Sequence, residues 1–253
     1  MTSIRIAAAG DLHADERVRP RIDEAFAHVA EAADAVLLAG DLTAHGEPEE
    51  MEVVAAACAA LDVPVYAVLG NHDYHANRVD ELTAILEGAG AIVLERSWAC
   101  ATIAGTTLGI AGTKGFVGGF PGSTLPDFGE PLLREVYAET GRDVAALDRG
   151  LAEIAECRLR VALLHYSPTM STLAGEPESI WTYLGTNRLD GPIQKHRPDL
   201  VLHGHAHEGT FAGAIGPVPV YNVAVHVMRR DFFVFELDTD APDGHGARLE
   251  ATV

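Results

Sequence analysis

The chain has 253 residues, 48% of them hydrophobic, and a formal net charge of −19 at pH 7. That length and apolar content suffice for a sizeable core, and no apolar run reaches the roughly 20 residues that a membrane helix needs. A surface this acidic repels long polyanions, because nucleic-acid affinity rests largely on Lys and Arg neutralising phosphates. It therefore favours a small substrate over duplex DNA.

Nothing in the sequence reads as a repeat, a low-complexity tract or a Pro/Ser-rich linker, so one domain over residues 1–253 is expected. Met1-Thr2-Ser3-Ile4-Arg5 runs straight into a strand-like segment and lacks a signal-peptide layout. Cys58, Cys100 and Cys157 are an odd, widely spaced set without any C-x-x-C pairing. They are expected as small buried hydrophobes in a reducing, cytoplasmic setting.

Ser3 to Ala9 reads as a first strand and ends in Gly10-Asp11-Leu12-His13. Arg21 to Ala33 carries apolar residues at helix period through Ile22, Ala25, Phe26 and Val29. Ala35 to Ala39 is a buried strand ending in Gly40-Asp41, and Glu47 to Leu61 a helix with Pro48 and carboxylates in its first turn. Val63 to Val68 leads into Gly70-Asn71-His72-Asp73. Three successive strand-helix units thus end their strands in glycine followed by a metal-ligand type. In open α/β sheets that is the edge where ligands bind.

Arg78 to Gly88 is helical, followed by short strands at 91–94, 98–103 and 107–111. Residues 112–130 form a long Gly/Pro-rich segment with Phe116, Phe120 and Phe128 interleaved, a surface loop or a lid over the site. Two helices are expected, Pro131 to Thr140 and Asp143 to Cys157. A buried strand, Arg160 to Leu164, ends at His165, and residues 169–190, with Trp181 and Tyr183, are expected to cap the site or pack on a partner. Asn187 to His196 is a short helix, and the strand Asp199 to Leu202 runs into His203-Gly204-His205-Ala206-His207. Antiparallel strands at 209–214, 219–225 and 232–237 and a polar, peripheral tail complete the chain.

Collected from five strand ends, the candidate ligands are Asp11, His13, Asp41, Asn71, His165, His205 and His207. Carboxylate, imidazole and amide oxygen without thiolate suit Mn, Fe, Zn or Ni rather than a structural zinc. Seven ligands exceed one transition ion and fit two ions sharing a carboxylate, the arrangement that serves phosphate-ester hydrolysis.

The blocks Asp11-Leu12-His13, Gly40-Asp41, Gly70-Asn71-His72-Asp73, His165 and Gly204-His205-Ala206-His207 occur in order. In this the chain resembles the calcineurin-like metallophosphoesterase superfamily. The resemblance implies an α/β fold, a four-layer αββα sandwich with a dinuclear centre at the strand ends. It implies that Asp11, His13 and His207 hold one metal, Asn71, His165 and His205 the other, and Asp41 both. The ions would be Mn or Fe, with Zn or Ni acceptable, and the nucleophile a metal-bridging hydroxide. His72 would act on the phosphate and the leaving oxygen, with Asp73 orienting its ring.

The second block, Gly40-Asp41-Leu42-Thr43-Ala44-His45-Gly46, lacks the Asp-Arg pair of the superfamily's protein phosphatases. The pattern is closer to the bacterial cyclic-nucleotide phosphodiesterase branch. The function expected is hydrolysis of small phosphodiesters such as cyclic nucleotides. The alternative is a phosphomonoesterase of small metabolites or nucleotides, followed by a nuclease and a non-catalytic scaffold. His203 is expected as a core or supporting residue, His28, His196, His226 and His245 as structural or solvated. His45 and His75 lie on loops beside the motifs. The oligomeric state is open.

Overall fold

The computed structural model describes residues 3–239 and, for the backbone, 247–250. The first half alternates strands and helices: β1 (Ser3–Ala9), α1 (Arg19–Ala32), β2 (Ala35–Ala39), α2 (Pro48–Ala59), β3 (Val65–Val68), α3 (Val79–Gly88) and β4 (Ile92–Val93). A hairpin of β5 (Ser97–Ile103) and β6 (Thr106–Thr113) follows, then the small ribbon β7 (Gly119–Phe120) with β8 (Ser123–Thr124). The second half runs through α4 (Pro131–Glu153), β9 (Leu159–Leu164), α5 (Trp181–Leu184), α6 (Asp190–His196), β10 (Leu200–His203), β11 (Ala212–Ile215) and β12 (Val218–Asn222). It ends with α7 (Val225–Met228), β13 (Phe233–Asp238) and β14 (Ala247–Glu250).

Two six-stranded sheets result, ordered β14-β13-β1-β2-β3-β4 and β11-β12-β10-β9-β6-β5. The central strands β1, β2 and β3 are parallel, as are β6, β9, β10 and β12. Their apolar runs are buried on both faces, which is why β2, Ala35 to Ala39, reads as five consecutive apolar residues rather than an alternation. β2 and β3 pack against β9 and β6, sheet on sheet, while α1 to α3 cover the first sheet and α4 and α6 the second. This is the αββα sandwich. Among the described residues, no helix is long and apolar enough to cross a membrane.

Several details depart from expectation. α4 is one helix rather than two, running through Thr140-Gly141. A glycine there costs about 1 kcal/mol of propensity, but packing of α4 on β5 and β6 holds the helix together. The last strands do not stay together: β12 pairs with β10 and β11, whereas β13 crosses to the first sheet and lies antiparallel to β1. The polar tail is not wholly peripheral, because 247–250 adds a strand to β13; His245 lies outside the described residues. Cys58 is buried as expected, but Cys100 is exposed and Cys157 half-buried, with their sulfurs 3.2 Å apart. Cys100 is cross-strand partner to Gly109, and a Cβ at Gly109 would lie only 2.9 Å from the Cys157 sulfur.

Candidate metal centre

The strand ends of both sheets converge on one edge. Asp11 and His13 follow β1, Asp41 follows β2, Asn71 follows β3, His165 follows β9, and His205 and His207 follow β10. The ligand atoms of Asp11, His13, Asp41 and His207 lie within 4.8 Å of one another, as do those of Asp41, His165 and His205. The two groups meet at Asp41. Asn71 joins the second, its Oδ1 lying 2.9 Å from His165 Nε2. All seven expected ligand residues are therefore brought together.

The backbone is strained where these side chains sit. Asp11, His13, Asp41 and His205 have φ of 60°, 46°, 49° and 70°, left-handed values that cost a non-glycine residue on the order of 1 kcal/mol each. The motif glycines make room for ligands. A Cβ at Gly70 would stand 2.2 Å from Asp41 N and Oδ1, and one at Gly204 would stand 2.2 Å from Asp11 Oδ2.

Hydrogen bonding decides which lone pairs are free. His165 Nδ1 lies 2.8 Å from the Ala39 carbonyl and must donate to it, since a carbonyl only accepts. With Nδ1 donating, Nε2 is the ring atom left for the cluster, and it faces Asp41 Oδ1 at 3.3 Å as well as the Asn71 oxygen. His205 Nε2 is similarly held by the Tyr183 carbonyl at 3.1 Å, leaving Nδ1 for the cluster. His13 Nε2 is buried with no partner. Clustered lone pairs, one of them orphaned, are what a cation satisfies and a proton does not, so the donor set fits metal ions.

Charge balance points the same way. Burial pushes His13 down to about 4, with Asp11 pulling the other way, and burial and His165 push His205 down to about 3. Both rings are thus neutral at pH 7, each with a lone pair to offer a cation. Burial, opposed by His165 and reinforced by Asp11 and Asp73, raises the Asp41 carboxyl above the usual carboxylate range. Burial would raise Asp11 too, but the hydrogen bond from His207, the neighbouring His165 and the His205 N–H hold it below that range.

His72 stands at the mouth, partly exposed. Its backbone N–H donates to Asp41 Oδ1 at 2.8 Å, and its Nδ1 donates to the Ala44 carbonyl at 2.7 Å. Nε2 is left facing the cluster, 4.0 Å from Asp41 Oδ2. Asp73 does not orient His72. Its carboxylate points inward and accepts from Gly70 N at 2.8 Å, Thr43 N at 2.8 Å, Leu42 N at 3.2 Å and Thr43 Oγ1 at 2.6 Å. Successive residues of a 3₁₀ turn point in different directions, and this turn, residues 72–74, sends His72 out and Asp73 in.

Sequence reasoning missed His226. Its ring stacks on His207 at 4.3 Å and lies 5.9 Å from His13, at the site rather than simply in solvent. The chain crosses from β12 to the end of β1, where Gly10 and Ala224 bridge, and α7 then delivers His226 beside Asp11 and His13. No spacing rule marks it. His75 lies against His72, ring centroids 4.4 Å apart, whereas His45 is tied to Glu50 of α2. His203 is buried between Gly204 O and Thr172 Oγ1. The long segments interlock: Gly118 N and Gly119 N donate to the carbonyls of Thr182 and Gly185.

The calcineurin-like phosphoesterase family matches the chain over residues 4–209. No curated protein matches it in sequence. In fold it is similar to phosphopantetheinyl hydrolase from Mycobacterium tuberculosis, at 16% identity over 88% of this chain and 90% of that one, with a TM-score of 0.60. It is also similar to a protein of Thermus thermophilus, at 18% identity over 94% and 95% of the two chains and a TM-score of 0.59. The anchor in the inner membrane complex of Plasmodium is similar as well, at 11% identity, 99% and 90% coverage and a TM-score of 0.63. At such identities the likeness is one of fold alone. The family match spans most of the chain and includes all seven expected ligand residues, but not His226. The chain belongs to the calcineurin-like phosphoesterase family and is a metal-dependent hydrolase of phosphate esters.

Proposed function

We propose that the chain hydrolyses small phosphodiesters, cyclic nucleotides or similar esters, at a dinuclear centre. The observation that carries the dinuclear reading is the meeting of two ligand groups at Asp41. Asp11, His13, Asp41 and His207 would hold one ion, and Asp41, Asn71, His165 and His205 the other. Mn or Fe suits these donors, and Zn or Ni is compatible with them. When bound, such ions polarise phosphoryl oxygens and bring the pKa of water toward neutrality.

The chain's own residues supply position and a proton. The Ala44 carbonyl fixes the His72 ring so that Nε2 faces the cluster. In its protonated form His72 donates from Nε2 to the oxygen of the departing alcohol. Asp73 holds the loops after β2 and β3 together, and so keeps Asp41 and His72 in register. The diester preference is supported by the second motif, where Gly40-Asp41-Leu42-Thr43 offers no Asp-Arg pair to grip a phosphoprotein monoester. The net charge of −19 argues against long nucleic acids.

With Mn supplied, bis(p-nitrophenyl) phosphate is expected to be cleaved faster than p-nitrophenyl phosphate. A wide margin in favour of the monoester would replace this reading with a phosphomonoesterase. Cleavage of single-stranded DNA at rates rivalling the small diester would point to a nuclease.

A further inference from the structure

Lys114, just past β6, is only 7% exposed, yet among the described residues it forms no ion pair. Its ammonium has three N–H groups, and one of them donates to the adjacent Gly115 carbonyl at 3.2 Å. Three rings surround it, with centroids 4.4 Å (Phe116), 5.0 Å (Tyr74) and 5.2 Å (Tyr166) from Nζ. Cation–π attraction compensates part of the lost hydration, but it uses no N–H donor. Each nearby carboxylate already bonds another group. Arg96 pairs with Asp143 at 2.8 Å and with Glu139, and the Tyr74 hydroxyl donates to Glu95 at 3.3 Å. Asp143 Oδ2 is buried without a partner, and its field helps keep the ammonium charged.

The cage is built from residues that adjoin the second ligand group. Tyr166 follows His165, and its ring packs on that of His205 at 4.4 Å. Tyr74 lies in the turn after Asn71, bonded by its N–H to the Asn71 carbonyl. The Lys114 carbonyl accepts from both His165 N and Tyr166 N, at 3.0 Å and 2.9 Å. The rings face the ammonium, so they are not free to stack on a base. The unmet capacity at this place is for an anion.

We propose that Lys114 is the anion-binding group of a subsite beside Asn71, His165 and His205, and that it takes a second anionic group, carboxylate or phosphate, of a phosphate ester whose reacting phosphorus lies at Asp41. This rests on the reading of that cluster as the phosphoesterase centre and narrows its small diesters to those bearing an additional negative charge, which a simple cyclic mononucleotide lacks. Burial pushes the ammonium below the usual lysine range, with Asp143 and Glu95 pulling the other way, and a bound anion would act in the same sense as those carboxylates.

Methylphosphonate and phosphonoacetate differ by one carboxylate, and both can be measured as inhibitors of ester hydrolysis by the Mn-loaded full chain at buffered free Mn. Wild type is expected to bind phosphonoacetate tighter by about tenfold or more. Lys114→Met should lose that preference while Lys114→Arg retains most of it; Lys114→Gln replaces the Met variant should the latter fail to fold. A preference absent from wild type, or unchanged in Lys114→Met while the melting temperature falls, would overturn the proposal and leave Lys114 a structural cation. Hydrolysis confined to monoesters would sink the diester reading, but the inhibitor ratio, read against the monoester, would still decide the role of Lys114.

Discussion

Replacing Asp73 by alanine tests how the centre is held together. The carboxylate is fully buried and accepts three backbone N–H groups, from Gly70, Leu42 and Thr43, and one hydroxyl. Removing it strands three buried donors, each costing about 1–3 kcal/mol unless water enters the space left behind. Three stranded donors sum to roughly 3–9 kcal/mol, and partial rehydration keeps the net loss at the lower end, roughly 3–5 kcal/mol, a large effect for a single substitution. For a chain of this size that corresponds to a fall in melting temperature of roughly 6–20 °C. Asp73→Asn keeps one oxygen but turns an amide N–H toward backbone donors, and should fall between wild type and alanine. Thermal unfolding of the metal-free proteins measures the series, and metal content of the loaded proteins accompanies it. Were Asp73→Asn to melt within about 2 °C of wild type, yet lose most turnover with both metals bound, Asp73 would be serving His72 chemically, and the scaffold assignment would be wrong.

Three further outcomes follow from the geometry. His72→Ala is expected to retain both metals and lose about 10²–10⁴ in kcat, as for removal of a general acid; metal loss measured on that variant would make His72 a ligand instead. Gly70→Ala places a Cβ 2.2 Å from Asp41 N and Oδ1, so the melting temperature should fall and elemental analysis should show both metals depleted. Burial lowers His203 to about 4, below its unfolded value of about 6.5. Its contribution to stability is therefore present above 6.5 and lost as pH falls from there toward 4. Urea unfolding of metal-free protein at pH 7.5 and pH 5 should show roughly 2 kcal/mol less acid destabilisation in His203→Gln than in wild type. Equal losses in the two proteins would rule out His203 as a source of it.

Much of the site was legible because its signals are local. Each ligand block follows a short apolar strand, and the parallel topology carries those strand ends to one edge. What stayed hidden depends on direction or on distant chain crossings. Adjacency suggested that Asp73 serves His72, but the 3₁₀ turn points the two side chains apart. His226 reaches the cluster through a crossing from the second sheet to the first, which leaves no trace in spacing. The ammonium of Lys114 could not be distinguished from a surface lysine, because its burial comes from Tyr74, Phe116 and Tyr166 on separate segments. The strand ends at Ala9 and Ala39 are sharp for the opposite reason: an apolar run stops at a Gly-Asp turn and leaves little latitude.

The central claim is that two ions share Asp41. Metal equivalents per chain, determined by elemental analysis after loading with Mn and removal of free ion, test it most directly. Two equivalents are predicted for wild type and fewer than one for Asp41→Asn, since a single side chain joins both ligand groups. One equivalent in wild type, or two in Asp41→Asn, would contradict the account.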